Sequence, residues 1–246
     1  MTIAAAFSFP DGVLFCADTQ HTSNSKLEST KLFRKEYPSR ARSLFAVCGD
    51  VHPAKMLLQR CERRLAEFRG RITSFAATGL VESVVAETYE KHFSHSPREV
   101  ETALFAGIYC PGDRRIILLQ TLDTSVNQLF GYDVIGTGED LGHYLIRDFY
   151  QAIRNERSQL EPMFLKSVGA LKEIKEYVDG CGKASEAVWL GSNGALSEVA
   201  RIKHDTKKEW NEALVTLKAS NVPVPKARQF LRRSKGGPSR RPASRG

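Results

Sequence analysis

TIAAAFSFPDGVLFCADT, residues 2–19, governs how the rest of this 246-residue chain is read. Two apolar runs, residues 3–9 and 13–17, are joined by Pro10-Asp11-Gly12. Proline presets one turn torsion and Asp-Gly tolerates left-handed ones, so the stretch reads as a β-hairpin. Chains ordinarily fray at their ends. This one reads instead as structured from its first residues, with no leader or linker ahead of the strand. Thr2 carries a hydroxyl directly before the first run, and the second run closes on Ala17-Asp18-Thr19. A hairpin of this length brings the Asp18 carboxylate back beside the start of the chain.

Working outward, residues 20–30 are polar and read as a loop, followed by a short strand at Lys31–Arg34 and a buried strand over 43–49 that ends at Gly49. From His52 to Gly70 the period changes. Met56, Leu57, Cys61, Leu65 and Phe68 recur at helical spacing, with Pro53 and Gly70 at the boundaries. A second helical pattern over 73–92 carries Phe75, Leu80, Val84, Val85, Thr88 and Tyr89. Strands return at 103–109 and 115–121, flanking a Cys-Pro-Gly-Asp turn, and again over 127–138, which ends in Gly-Thr-Gly. Helices are expected over 139–156 and 162–178, the latter with Phe164, Leu165, Val168, Leu171, Ile174 and Tyr177 on one face. Residues 185–191 and 195–202 make a last hairpin around Ser192-Asn193-Gly194. Strand groups thus bracket helix pairs twice. Two antiparallel sheets flanked by helix pairs satisfy every amphipathic face, which predicts a four-layer α/β/β/α sandwich. The expected organisation is a body over 1–205, an extension over 206–225 and a basic tail over 226–246.

Composition excludes several classes of protein. Hydrophobic residues make up 41% and charged residues 26%, the balance of a globular chain with a core. The five cysteines form no CxxC pair, and three lie in apolar runs, so reduced buried thiols in a cytosolic protein are expected. None of the six histidines falls in an HExxH or a Cys/His cluster, and no metal is expected. Gly136-x-Gly138 lacks the third glycine of a dinucleotide loop, because position 141 is Leu; no cofactor is expected. No apolar stretch approaches the ~20 residues of a membrane span. A signal peptide's basic n-region and long h-region are absent, so the expected location is the cytoplasm. The net charge of +8 resides in residues 226–246, which hold eight basic residues and no acidic one. Such a segment reads as solvated, and nucleic acid is a partner only through it.

Thr2 supplies the chemistry. An amino-terminal threonine can attack a carbonyl with its hydroxyl while its own α-amine takes the proton. An α-amine titrates at about 7.7–8.0 and needs little tuning to act as a base at neutral pH. Met1 must first be removed, and the small side chain at position 2 permits that.

The set of residues resembles the proteasome β-subunit family, including its bacterial members. The resemblance rests on Thr2, the Asp11-Gly12 turn and Ala17-Asp18-Thr19, then on FAVCGD (45–50), VIGTGE (134–139) and, more weakly, YVDGCGKASEAV (177–188). It covers roughly residues 2–204. The resemblance implies Thr2 as nucleophile and Asp18 as the carboxylate that orients a lysine. Lys31 fits that lysine best, with Lys35 and then Lys26 as fallbacks. It further implies Gly49 as the oxyanion N–H donor, and Thr137 and Asp179 as supports of the amine. Two departures stand out. Asp50-Val51-His52-Pro53 replaces a small-residue run, and Gly182 (or Cys181, in a shifted alignment that loses Asp179) stands where the family has a serine.

What the resemblance implies is a threonine peptidase acting on peptides or unfolded proteins, assembled as a homo-oligomeric ring, with an ATPase as a further partner. Two alternatives use the same fold: a non-catalytic assembly or binding subunit, and a small-molecule amidohydrolase with the same nucleophile.

Overall fold

Alternation sorts the apolar residues of the first hairpin onto both faces of a sheet. Ile3, Ala5, Phe7, Leu14 and Cys16 join one buried cluster, and Ala4, Ala6, Val13, Phe15 and Ala17 join another. A hairpin buried on both faces belongs in the middle of a sheet that is itself covered on both sides. That is its place in the computed structural model, which describes residues 3–22, 26–28, 30–95, 100, 102–153, 160–178, 181–182, 184–203 and 207–220. Thr2, Asp179 and the basic tail lie outside the described residues.

β1 (Ile3–Phe9) and β2 (Gly12–Asp18) form the hairpin. A two-stranded ribbon of β3 (Gln20–Thr22) and β4 (Lys26–Glu28) follows, where the polar sequence reads as a loop. A short polar stretch carries no apolar alternation signal, yet its backbone still pairs. β5 (Leu32–Glu36), β6 (Arg42–Gly49), β7 (Thr102–Cys110), β8 (Arg115–Leu122) and β9 (Ser125–Gln128) lie in chain order across a second sheet. β10 (Tyr132–Gly136) returns to the first sheet, whose order is β10-β1-β2-β11-β12 with β11 (Ser185–Gly191) and β12 (Leu196–Ile202). Every neighbouring pair is antiparallel.

Helices α1 (Val51–Glu67) and α2 (Ser74–Thr88), the latter prolonged by one wide turn over Tyr89–Phe93, cover the second sheet. α3 (Glu139–Ile153) and α4 (Leu160–Tyr177) cover the first. α5 (Lys207–Ser220) packs on β12 and α4. The result is the four-layer α/β/β/α sandwich. Its central core joins the two sheets, with Phe15 of β2 meeting the edge of Phe105 of β7 at 6.1 Å between ring centroids. None of the described helices is long and apolar enough to cross a membrane.

Helical geometry corrects two expectations. Phe75, counted among the apolar positions of the second helix, is 89% exposed. It lies about half a turn from the face made by Ala77, Val81, Val84 and Val85. On α4 the buried face is Phe164, Val168, Leu171 and Ile174, while Leu165 and Tyr177 flank it and are exposed.

The first turn shows how tightly the hairpin is gripped. Gly12 has φ +152°, and a Cβ there would meet the Leu190 carbonyl oxygen and come within 2.6 Å of the Trp189 ring. Both contacts are with rigid groups. Gly12→Ala is therefore expected to destabilise the protein by about 1–3 kcal/mol, read as a lower urea midpoint with an unchanged m-value.

Candidate active site

Strand register sets the site. Ala4 opposes Ala17, so the start of β1 lies level with Asp18 at the end of β2. The Asp18 carboxylate is buried and collects donors on both oxygens. Oδ1 accepts from the Ile3 backbone N–H at 3.1 Å and from Lys31 Nζ at 2.6 Å. Oδ2 accepts from the Gln20 N–H at 3.3 Å and the Gly182 N–H at 2.9 Å. Both side chains of the Lys31–Asp18 pair are 0% exposed. Burying two charges is tolerable only where the pair is close and the remaining lone pairs are satisfied. The donors around Asp18 meet that condition.

The pair is tied to the chain's beginning by covalent geometry. Ile3 N belongs to the peptide bond that joins Thr2 to Ile3, so the carboxylate holds the peptide group next to Thr2. Of the three lysines considered, Lys31 reaches Asp18. Lys35 instead pairs with Glu62 at 3.2 Å near the surface, and Lys26 lies on β4, in the ribbon that precedes Lys31. The residue before Lys31 is anchored too. Thr30 Oγ1 donates to Glu186 Oε2 at 2.8 Å, and the other Glu186 oxygen lies 3.6 Å from Arg201 Nε.

Gly49 closes β6 opposite Thr102 with φ +94°, a conformation that favours glycine, and the chain turns there through Asp50 into α1. Thr137 is exposed in the turn between β10 and α3. Its two glycines have separate reasons. Gly136, at φ +106°, opposes Ile3 across the β1–β10 ladder. Gly138 packs so closely that a Cβ would stand 2.6 Å from Ile174 and 2.9 Å from Ile3. The Gly-Thr-Gly turn therefore wraps the side chain of residue 3. The structure brings Asp18 and Lys31 into contact, and sets the Gly136-Thr137-Gly138 turn against Ile3.

Several polar contacts here have no counterpart in the sequence reading. Thr19 clamps the segment before β11: its N–H donates to the Ala184 carbonyl at 3.0 Å, and its Oγ1 accepts from the Ala184 N–H at 3.0 Å. Ser185, the cross-strand partner of Asp18, accepts from Lys175 Nζ at 2.8 Å. Gln20 covers Gly182, the residue at the expected serine position, and its Oε1 fills the volume a side chain there would need. Thr19 and Gln20 stand where an apolar strand gives way to a polar stretch, and Lys175 and Ser185 lie in a helix and a buried strand whose patterns do not mark a partner.

Two thiols share the neighbourhood. Burial pushes the Cys48 thiol well above its usual range, with Lys31 pulling it partly back. Burial and then the Asp18 charge push Cys181 up to about 11. A protonated thiol is a poor nucleophile. At neutral pH both thiols stay protonated.

No protein-family model matches the chain, and no curated protein matches its sequence. Solved structures match its fold. A Gly-1 mutant of Anbu from Hyphomicrobium sp. strain MC1 aligns with a TM-score of 0.70 at 16% identity, covering 98% of this chain and 100% of that one. Anbu (ancestral beta-subunit) from Yersinia bercovieri aligns at 0.68 and 12% identity, covering 97% and 99%. The helical assembly of the Anbu complex from Pseudomonas aeruginosa aligns at 0.68 and 13% identity, covering 96% and 98%. At these identities the likeness establishes the fold, which is the proteasome-like N-terminal-nucleophile sandwich.

Removing one partner of the buried ion pair strands the other charge. Lys31→Met is expected to cost roughly 3–5 kcal/mol. The Asp18→Asn/Lys31→Met double variant is expected to lose less than the two single losses combined. A double-mutant cycle by chemical denaturation measures both.

Proposed function

We propose that this chain is a threonine-type hydrolase that cleaves peptide bonds with Thr2 as its amino-terminal residue. The observation that carries the reading is the buried Lys31–Asp18 pair, whose carboxylate also holds the Ile3 N–H, one peptide bond from Thr2. In this reading the buried ion pair supplies a fixed cation for the Thr2 amine and hydroxyl. Opposite charges and their hydrogen bonds shift the proton affinity of neighbouring groups.

In this reading the Thr2 hydroxyl adds to the scissile carbonyl carbon as its proton passes to the Thr2 α-amine. The Gly49 N–H stabilises the tetrahedral oxyanion. The protonated amine then gives its proton to the leaving amine, the C–N bond breaks, and an ester to Thr2 remains. Water, deprotonated by the same amine, hydrolyses that ester and frees the hydroxyl. Lys31 and Asp18 orient and polarise the nucleophile; Thr137 and Asp179 support the amine. Unprotonated thiolate chemistry is disfavoured, because burial keeps both neighbouring cysteines protonated.

Substrates in this reading are peptides or unfolded proteins, met in the cytoplasm. One structural relative is described as a helical assembly of its complex, which supports an oligomeric state here, with a ring and an ATPase partner as the finer form. The working unit is the body over 1–205, with 206–225 as an extension and 226–246 as a basic tail.

Intact mass spectrometry of the purified protein is expected to show Met1 removed, since a retained methionine leaves no free amine on Thr2. Against a panel of fluorogenic peptides, Thr2→Ala is expected to lower kcat by roughly 10³-fold or more with the fold intact by circular dichroism. Full turnover by that variant, or a retained Met1 in an active preparation, overturns the assignment of the nucleophile.

A further inference from the structure

Gln20 is a polar side chain in a place that favours none. It opens β3 and is only 5% exposed. Burying a carboxamide is costly unless its groups are used, and an apolar residue of the same size would fill the space more cheaply. Its surroundings all belong to the site. The Gln20 backbone N–H bonds Asp18 Oδ2, the same oxygen that takes the Gly182 N–H. Its side-chain amide lies directly over Gly182: a Cβ on residue 182 would collide with Oε1 and stand 3.2 Å from Cδ. Thr19, the residue before it, is bonded through both N–H and Oγ1 to Ala184, two residues after Gly182. The Thr19–Gln20 corner therefore holds Gly182 and Ala184 at two points.

We propose that Gln20 is a positioning residue of this site. Its carboxamide braces the segment at Cys181 and Gly182 so that the Gly182 N–H stays on Asp18, and it occupies the volume of the missing side chain at 182 with a hydrogen-bonding group. A carboxamide both donates and accepts, so it can serve the polar end of the site in a way that a methyl or methylene cannot. Residue 182 is then glycine because residue 20 is glutamine, and the two positions are coupled. The catalytic consequence rests on the hydrolase reading above; the coupling itself does not.

Four full-length, amino-terminally processed proteins test this: wild type, Gln20→Ala, Gly182→Ser, and the double variant. Thermal unfolding reads the coupling. The α-amine of Thr2, titrated by nitrogen NMR, reads the site without any need for turnover. Peptide hydrolysis across pH reads the reaction. Gly182→Ser alone is expected to lower Tm or prevent folding, because the new side chain meets the Gln20 amide. Gln20→Ala is expected to fold, to shift the amine titration by about one unit, and to lose on the order of ten- to a hundredfold in kcat/KM. The double variant, with a serine hydroxyl in the vacated volume, is expected to regain most of both. Additive effects with no rescue overturn the proposal. So does a Gln20→Ala protein that loses Tm alone, with its amine titration and pH profile unchanged. Absence of turnover in every protein, the wild type included, counts against the hydrolase reading, while the unfolding cycle and the amine titration still decide the role of Gln20.

Discussion

One carboxylate ties this structure together at the point where function is proposed. Asp18 sits at the end of a fully buried strand and gathers donors from β1, from the start of β3, from the segment before β11 and from the approach to β5. A buried anion tolerates few arrangements. Each donor it lacks leaves lone pairs without compensation, and the missing bond costs more than a satisfied one contributes. The segments it collects are consequently held in one mutual geometry: the start of β1 at Ile3, the Lys31 approach, the Gln20 corner and Gly182.

The sandwich explains why that geometry persists. The first hairpin has apolar side chains on both faces, one set in the core between the sheets and the other beneath α3 and α4. Sliding it by one residue would move every side chain to the opposite face. Register is therefore strongly specified, and with it the alignment of Ile3 with Gly136 and of Asp18 with Ser185. The glycines of the Gly136-Thr137-Gly138 turn serve the same end, since one opposes Ile3 in the ladder and the other packs against its side chain. The geometry around Asp18 is inherited from β-sheet register.

Low polarity around the pair has a second effect. Burial keeps Cys48 and Cys181 protonated although a lysine cation is close by. The burial that surrounds the ion pair also keeps the thiols beside it in their unreactive protonated form.

The pairing of Asp18 with Lys31 was implied by the family resemblance, whereas the layer architecture, the hairpins at 10–12, 111–113 and 192–194 and the helix pairs were legible in the sequence pattern itself. These features arise from local periodicity, turn chemistry and chain order, and such signals survive without knowledge of distant contacts. Side-chain exposure at Phe75, Leu165 and Tyr177 was misjudged because apolar identity was counted without the angle around the helix. The choice of Lys31 over Lys35 became definite only in three dimensions, where the β3–β4 ribbon and the Thr30–Glu186 bond fix the approach to β5. The same holds for Gln20 over Gly182, Thr19 on Ala184 and Lys175 on Ser185. Those contacts join residues on different elements, from 10 to 165 positions apart, and the pattern of neither segment marks the partner. A polar residue's role depends on which partner faces it, and that is a property of the folded sheet edges rather than of any stretch of sequence.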